Sequence, residues 1–188
     1  MTRRVRFTLE WDGRPYMGWQ RQPHGPSVQQ AVETALAEIT GEQAVVHAAG
    51  RTDAGVHASG MVAHAELATA LSPFRLMEGV NARLKLAGEP VAVLAAEEAG
   101  PEFHARFSCT GRAYEYRLLC RRAPLTWNAG LLWRRPNPFD IDAMNEAARH
   151  LIGCHDFTTF RHVHCQALSP VKTLDLLEVS AEGEAVTV

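Results

Sequence analysis

The order of the secondary-structure signals in the first hundred residues is the feature that most limits the possible folds. Apolar residues at every second position from Val5 to Trp11 predict a first strand. The signals that follow indicate a helix, two strands, a second helix and a last strand. The six segments are 4–11, 27–40, 44–49, 61–67, a helix that begins at Ser72-Pro73, and 91–96. This β-α-β-β-α-β order is typical of the split βαβ arrangement, so we predict an α+β fold of the ferredoxin-like (RRM-like) type.

Both predicted helices carry signals at their ends. Ser27 is placed to cap the first helix, with Gln30 three residues further on, and Gly41 ends it. A proline directly after Ser72 is typical of a helix that begins there. We expect the apolar residues of this second helix to face the sheet; they are Phe74, Met77, Val80 and Leu84.

The second half begins the same pattern again. Its predicted segments are a strand over 114–119, a helix that Asp140 caps and Gly153 ends, and strands near 171–180 and 184–188. We therefore predict two β-α-β-β-α-β pseudo-repeats with antiparallel sheets, of which the second stops at β-α-β-β and is incomplete. The predicted domains are 1–104 and 105–188.

Charge and composition leave the class of partner open. The net charge of −2 argues mildly against a nucleic-acid ligand, because phosphate contacts need a local excess of cations. All but two of the 19 cationic residues are arginine, which suits phosphate contacts and base stacking, but a GC-rich genome produces the same bias. The arginines cluster at three places: Arg3/Arg4/Arg6, Arg121/Arg122 and Arg134/Arg135. A local basic cleft is compatible with this total.

The sequence also predicts a location. The first residues lack the apolar segment of a secretory signal, and no apolar run reaches the ~20 residues of a membrane span. Four cysteines are scattered without a Cys-x-x-Cys pair, which is typical of free thiols in a reducing compartment. We therefore expect a cytoplasmic protein.

A polar loop, 50–58, stands between two predicted strands and carries a carboxylate at its tip. Gly50 and Gly55 allow sharp bends, and Arg51 lies two residues before Asp53, close enough to hold its carboxylate ionised. An aspartate held in this way can act as a nucleophile or a general base. Because aspartate and glycine are also ordinary turn residues, the loop alone does not separate a catalytic site from a structural turn.

The loop and four other segments, in the same order along the chain, resemble the tRNA pseudouridine synthase A family. The loop is Gly50-Arg51-Thr52-Asp53-Ala54-Gly55-Val56-His57-Ala58, and the other segments are 10–13 with 16–22, Phe103-His104-Ala105-Arg106-Phe107-Ser108, Arg112-Ala113-Tyr114-Glu115-Tyr116-Arg117, and 155–161. The resemblance runs from Arg4 to about Val188. Members of the family continue past this point, so we expect a chain shortened at its carboxyl end.

The resemblance implies an enzyme, an isomerase that converts uridine to pseudouridine in the anticodon stem-loop of tRNA, at positions 38–40. Asp53 would be the catalytic residue, Arg51 would pair with it and help to hold the flipped nucleotide, and Tyr114 would stack on the uracil. We expect no cofactor and no metal, because the reaction changes no redox state overall. The family implies a homodimer with the tRNA crossing both subunits. A non-catalytic RNA-binding module is the alternative.

Two further arginines are candidate RNA contacts with open alternatives. Arg106 could bind phosphate or form a buried salt bridge between the halves. Arg21 lies with Tyr16 and Trp19 in the long loop 12–26, which could stack on RNA and bind phosphate. Equally, Trp19 could fill the space between sheet and helix.

A group of cysteines and histidines in the second half is a weak candidate for a zinc site. Five possible ligands lie within twelve residues: Cys154, His155, His162, His164 and Cys165. Their spacing matches no zinc finger or ribbon, so we expect no metal here and predict that Cys165 is a small buried apolar residue. A metal-dependent phosphoester hydrolase is also disfavoured, since no second carboxylate accompanies Asp53.

Overall fold

The structure, a computed structural model, describes residues 2–161 and 168–188 and has an α+β fold. The chain divides into two compact units, Met1–Arg112 and Ala113–Val188. Residues 105–112, which the sequence prediction assigned to the second half, therefore lie with the first unit. The Ala105 N–H donates to His64 Nδ1 (3.2 Å), and Arg112 Nη2 donates to the Ala49 carbonyl (2.7 Å).

The first unit is one sheet with two helices. Its elements are β1 (Arg3–Trp11), α1 (Val28–Thr40), β2 (His47–Ala48), β3 (Ala58–Leu67), α2 (Pro73–Ala87) and β4 (Val91–Ala99). The strand order is β2-β3-β1-β4, and all neighbours are antiparallel. This is the order that a split βαβ arrangement produces.

Strand β1 supplies the centre of the core, as its alternation predicts. Val5, Phe7, Leu9 and Trp11 are all buried, at most 4% exposed, while the residues between them lie on the other face of the sheet. Burying each large apolar side chain stabilises the unit by about 1.5–3 kcal/mol. The helices contribute a second set of buried residues that includes Val32, Leu36, Leu76 and Val80.

In the first unit the predicted ends of α1 and the predicted start of α2 are confirmed, but the predicted inward face of α2 is partly wrong. Ser27 Oγ accepts from the Gln30 N–H, and Gly41 ends α1 in the left-handed conformation (φ 75°). Phe74 was expected to face the sheet and is instead 60% exposed. The buried stripe of α2 consists of Leu76, Val80 and Leu84, which repeat every four residues and so share one face.

Strand β2 is shorter than predicted because side chains of α1 bind the backbone N–H and carbonyl of Val46, which then cannot pair with β3. Glu33 Oε1 accepts from the Val46 N–H (3.0 Å), and Gln29 Nε2 donates to the Val46 carbonyl (3.2 Å). Gln29 and Glu33 are themselves buried and joined by a hydrogen bond of 2.9 Å. The regular pairing with β3 is therefore limited to His47 and Ala48, and the Ala49 N–H adds one hydrogen bond to the Val62 carbonyl.

The second unit has a smaller core and shorter elements. They are β5 (Arg117–Cys120), β6 (Trp133–Arg135), α3 (Ile141–Arg149), β7 (Gly153–Asp156), a 3-10 helix (Thr158–Phe160), β8 (Val171–Leu174), β9 (Ser180–Glu182) and β10 (Ala185–Thr187). One sheet has the order β6-β5-β10-β9, and β7 and β8 form a separate pair. Leu118, Val179 and Val186 are the buried centre.

Four predictions for this unit are wrong in detail. Helix α3 ends at Arg149, with His150 as its C-cap, and not at Gly153, which begins β7. The first strand begins at Arg117 and not at Tyr114. The single strand predicted over 171–180 is two strands, since the side chain of Asn145 on α3 takes both the N–H and the carbonyl of Val179. The β5–β6 pair is parallel, so the sheet is not purely antiparallel. Within the described part of the chain, no helix is long and apolar enough to span a membrane.

Candidate active site

The loop that carries Asp53 connects β2 to β3 and is attached to the last residue of β1 and to the segment that follows it. Three hydrogen bonds join them: Trp19 N–H to the Thr52 carbonyl (3.1 Å), Gly55 N–H to the Tyr16 carbonyl (3.2 Å), and Trp11 Nε1–H to the Val56 carbonyl (2.9 Å). A turn closes the loop, with the Val56 N–H donating to the Asp53 carbonyl (3.2 Å). The backbone is therefore fixed on both sides of Asp53.

Two glycines of the attached segment make this close approach possible. A Cβ at Gly13 would lie 2.2 Å from the Val56 carbonyl oxygen, and a Cβ at Gly18 would lie 2.3 Å from the Thr52 carbonyl oxygen. Gly18 also has a φ of +100°, where side chains are strained. No residue with a side chain can occupy these positions without moving the loop.

The residues predicted for the site lie in different parts of the chain. Asp53 and Arg51 share the loop, and both are exposed. Arg106 is also exposed and lies in the first unit, so it is not a buried salt bridge. Tyr114 lies in the second unit and is 72% exposed, outside any strand.

Trp19 belongs to the core, which settles the alternative left open by the sequence. It is 2% exposed, and its ring centroid lies 5.5 Å from that of Trp11. Tyr16 is equally buried; its hydroxyl donates to the Glu89 carboxylate, and burial raises the pKa of Tyr16. Neither aromatic of this segment is available to stack on RNA.

Arg21 is held by the buried polar residues of α1. Its Nη2 lies 3.0 Å from Glu33 Oε2, and its backbone N–H donates to Gln29 Oε1 (2.9 Å). About half of its side chain remains exposed. The guanidinium can therefore present its outer face while the ion pair fixes its position.

A polar group that the sequence reasoning did not single out fixes the end of the loop. His57 Nδ1 accepts from the Gly13 N–H (3.2 Å) and lies 3.3 Å from Asp12 Oδ1. Arg14 Nε donates to Asp12 Oδ2 (2.8 Å), and this hydrogen bond is the main reason why the pKa of Asp12 is lowered. The signal was present in the sequence, since Asp12, Gly13 and His57 all belong to the segments that carry the family resemblance.

The arginine cluster at the amino end does not form a free basic patch. Arg3, Arg4 and Arg6 lie on β1 and pair with carboxylates of the neighbouring strands; the partners are Glu98, Glu66 and Glu97 respectively. Their charges are therefore largely compensated within the sheet.

Three histidine rings lie in contact on the face of the sheet opposite the helices. The rings of His47 and His64 lie 5.2 Å apart, and His104 lies 4.6 Å from His64. His64 is 2% exposed. Its burial, with the neighbouring His104 and His47, lowers its pKa from 6.5 to about 4. His64 therefore stays neutral and accepts the Ala105 N–H through Nδ1.

We expect the first unit to lose stability as the pH falls from about 6.5 to about 4. In that interval the unfolded state binds a proton at His64 and the folded state does not, so the free energy of unfolding decreases by about 2–3 kcal/mol. Urea unfolding followed by tryptophan fluorescence measures it, because Trp11 and Trp19 are buried in this unit. His64→Leu should flatten the pH dependence, whereas exposed His24→Leu should not. An unchanged profile in His64→Leu contradicts the assignment.

The described members of the weak zinc candidate, Cys154 and His155, are not placed as metal ligands. Among the described residues, no three or more His, Cys, Asp or Glu side chains are placed to hold a metal ion. Cys154 is exposed, and His155 Nε2 lies 2.9 Å from the Ile152 carbonyl oxygen. The other members, His162, His164 and Cys165, lie outside the described residues. The burial of Cys165 therefore stays a prediction.

Comparison with known proteins gives consistent matches over this site and beyond it. A family model described as tRNA pseudouridine synthase matches residues 9–108, which include the Asp53 loop. The tRNA pseudouridine synthase A of Rhizorhabdus wittichii is 60% identical over 185 residues, 98% of this chain and 72% of the relative. That of Zymomonas mobilis is 55% identical, covering 98% and 75%. That of Dinoroseobacter shibae is 58% identical over 176 residues, covering 94% and 68%.

Proposed function

The chain belongs to the tRNA pseudouridine synthase A family, and we propose that it isomerises uridine to pseudouridine in the anticodon stem-loop of tRNA, at positions 38–40. In this reaction the bond between N1 of uracil and C1′ of ribose breaks. A bond between C5 and C1′ forms in its place, C5 loses its hydrogen to solvent, and N1 gains one. No electrons are gained or lost overall, so the protein itself can supply every group that is needed.

The observation that carries the proposal is the way in which Asp53 is presented. The backbone is hydrogen-bonded on both sides of this residue, at Thr52 and at Gly55, yet its side chain is exposed. A carboxylate with a fixed backbone and an open side is suited to meet an incoming sugar or base. Asp53 acts in our proposal as the nucleophile or as the base that removes a sugar proton.

Arg51 and Tyr114 complete the proposed set. Arg51, on the same loop, pairs with the Asp53 carboxylate and helps to hold the nucleotide after it leaves the stem, because a stacked base cannot be reached in place. Tyr114 stacks on the uracil, a contact worth about 1–3 kcal/mol in other single-strand binders. The large exposed fraction of Tyr114, 72%, supports this role over one in the core.

Arg106 and Arg21 are the proposed contacts to the RNA backbone. Both lie in the first unit and are exposed, and arginine suits bidentate contacts to phosphate. For Arg21 the ion pair to Glu33 sets the direction of the guanidinium before RNA binds. We further propose a cytoplasmic homodimer, as the family resemblance implies.

We also propose that the second unit repeats part of the first. The neighbouring strands β9-β10-β5 have the same order as β2-β3-β1, and both pairs in each set are antiparallel. In each set a helix precedes the second strand: α1 before β2, and α3 before β9. This β-α-β-β correspondence supports an origin of the two units in one pseudo-repeat.

The test is tritium release from tRNA that carries 5-tritiated uridine. We expect release with a tRNA that has uridine at positions 38–40, and none with a matched tRNA that has cytidine there and uridines elsewhere. Release from both would contradict the proposed positions. Release from neither, with tRNA binding retained by folded protein, would contradict catalysis and favour a binding module.

A further inference from the structure

We propose that Arg112 is a positioning residue for Asp53, a role that rests on the proposed function of the loop. Arg112 is the last residue of the first unit, and its Nη2 donates to the Ala49 carbonyl at 2.7 Å. Ala49 is buried and directly precedes Gly50, where the loop begins. The guanidinium thus holds the backbone at the point where the chain leaves β2.

This contact complements the hydrogen bonds on the far side of the loop. Residues 52–56 are attached to the segment that follows β1, whereas the Ala49 N–H donates to the Val62 carbonyl of β3 (2.8 Å). With the Ala49 carbonyl bound to Arg112, both polar backbone groups of this residue are satisfied. The loop is therefore fixed at its beginning, at Ala49, and again at the residues on either side of Asp53.

Gly50 lies directly beside this contact. Gly50 is not among the glycines with positive φ, so its backbone conformation is open to other residues. A Cβ at this position would lie 3.4 Å from Arg112 Nε, which is ordinary contact distance. The Arg112 side chain therefore runs alongside residue 50 to reach the Ala49 carbonyl.

Arg112 could alternatively hold phosphate, and kinetics separate the two roles. A side chain that binds RNA contributes to affinity, so its loss raises Kd and KM. A side chain that positions Asp53 contributes after binding, so its loss lowers kcat. Since one amino group of the guanidinium is engaged with Ala49, we assign the positioning role.

The experiment compares Arg112→Ala and Arg112→Lys with the unchanged chain. We expect Arg112→Ala to lower kcat by about 10- to 100-fold with the Kd for tRNA within about threefold. Arg112→Lys should recover part of kcat, because an ammonium group can donate to the same carbonyl. Arg75→Ala, which removes an exposed arginine of α2, is the matched control and should change neither constant.

A second readout does not depend on activity. Amide hydrogen exchange at Gly55 and Val56 should accelerate in Arg112→Ala and stay normal in Arg75→Ala, because the loop loses its first attachment. A raised Kd with unchanged kcat, or unchanged exchange in the loop, would overturn the positioning role. If the unchanged chain releases no tritium, the proposed function fails, and the exchange measurement still decides whether Arg112 orders the loop.

Discussion

Asp53→Ala is expected to abolish tritium release from tRNA while leaving the affinity for tRNA within about threefold. The reaction needs a group that attacks the nucleotide or removes a proton from it, and loss of such a group typically costs two or more orders of magnitude in rate. Affinity should change little, because one exposed carboxylate contributes no favourable contact to phosphate. The isosteric Asp53→Asn should be equally inactive, since it keeps the size of the side chain and removes its charge.

The folded state should not change in either variant. The loop is held through backbone groups of Thr52, Gly55 and Val56, and the Asp53 side chain is exposed, so its removal should alter the free energy of unfolding by less than about 0.5 kcal/mol. Asp142→Ala, an exposed aspartate of α3, is the matched control and should release tritium normally. An Asp53→Ala protein that still turns over would rule out the proposed mechanism.

The first unit was predictable from sequence because local interactions determine most of it. Alternation along β1 and the end signals of α1, Ser27 and Gly41, act within a few residues and are all present in the structure. The shortening of β2 was not predictable, because it depends on Gln29 and Glu33 reaching Val46, residues 17 and 13 positions away along the chain. The order of apolar residues in the strand gives no sign that side chains of α1 replace β3 as partners of Val46.

The second unit was harder to predict because its strands are short and its core is small. A strand of three residues such as β6, Trp-Arg-Arg, carries no alternation, and its parallel pairing with β5 leaves no local signal. The predicted strand over 171–180 is divided by Asn145, which lies on a helix and binds Val179, 34 residues further along the chain. These contacts are tertiary, and the local pattern is compatible with other arrangements.

The site shows the same division between local and distant causes. Glycines and polar residues between two apolar stretches were enough to predict the loop, and the family resemblance singled out Asp53 within it. The residues that hold the loop come from elsewhere, since Gly18, His57 and Arg112 act on partners 34, 44 and 63 positions away. Sequence alone could mark these residues as members of family segments but could not assign them a mechanical role.

Gly18→Ala is expected to displace the Asp53 loop, with a large loss of both stability and activity. The new methyl group would stand 2.3 Å from the Thr52 carbonyl oxygen and 3.1 Å from the Asp53 carbonyl carbon, and both are backbone atoms that cannot rotate away. The backbone at φ +100° adds strain. We expect the free energy of unfolding to fall by about 2–4 kcal/mol and kcat by at least about 100-fold.

Gly41→Ala is the control that separates collision from backbone strain. Gly41 also has a positive φ (+75°), but a Cβ there would meet nothing within 4 Å, and it lies at the end of α1 away from the loop. Its substitution should cost about 1 kcal/mol and leave kcat unchanged. Urea unfolding and tritium release measured on both variants show whether Gly18→Ala acts through a steric clash or through backbone strain alone. If Gly18→Ala behaves like Gly41→Ala, the loop is not held by close packing against the segment after β1, and the fixed presentation of Asp53 loses its structural basis.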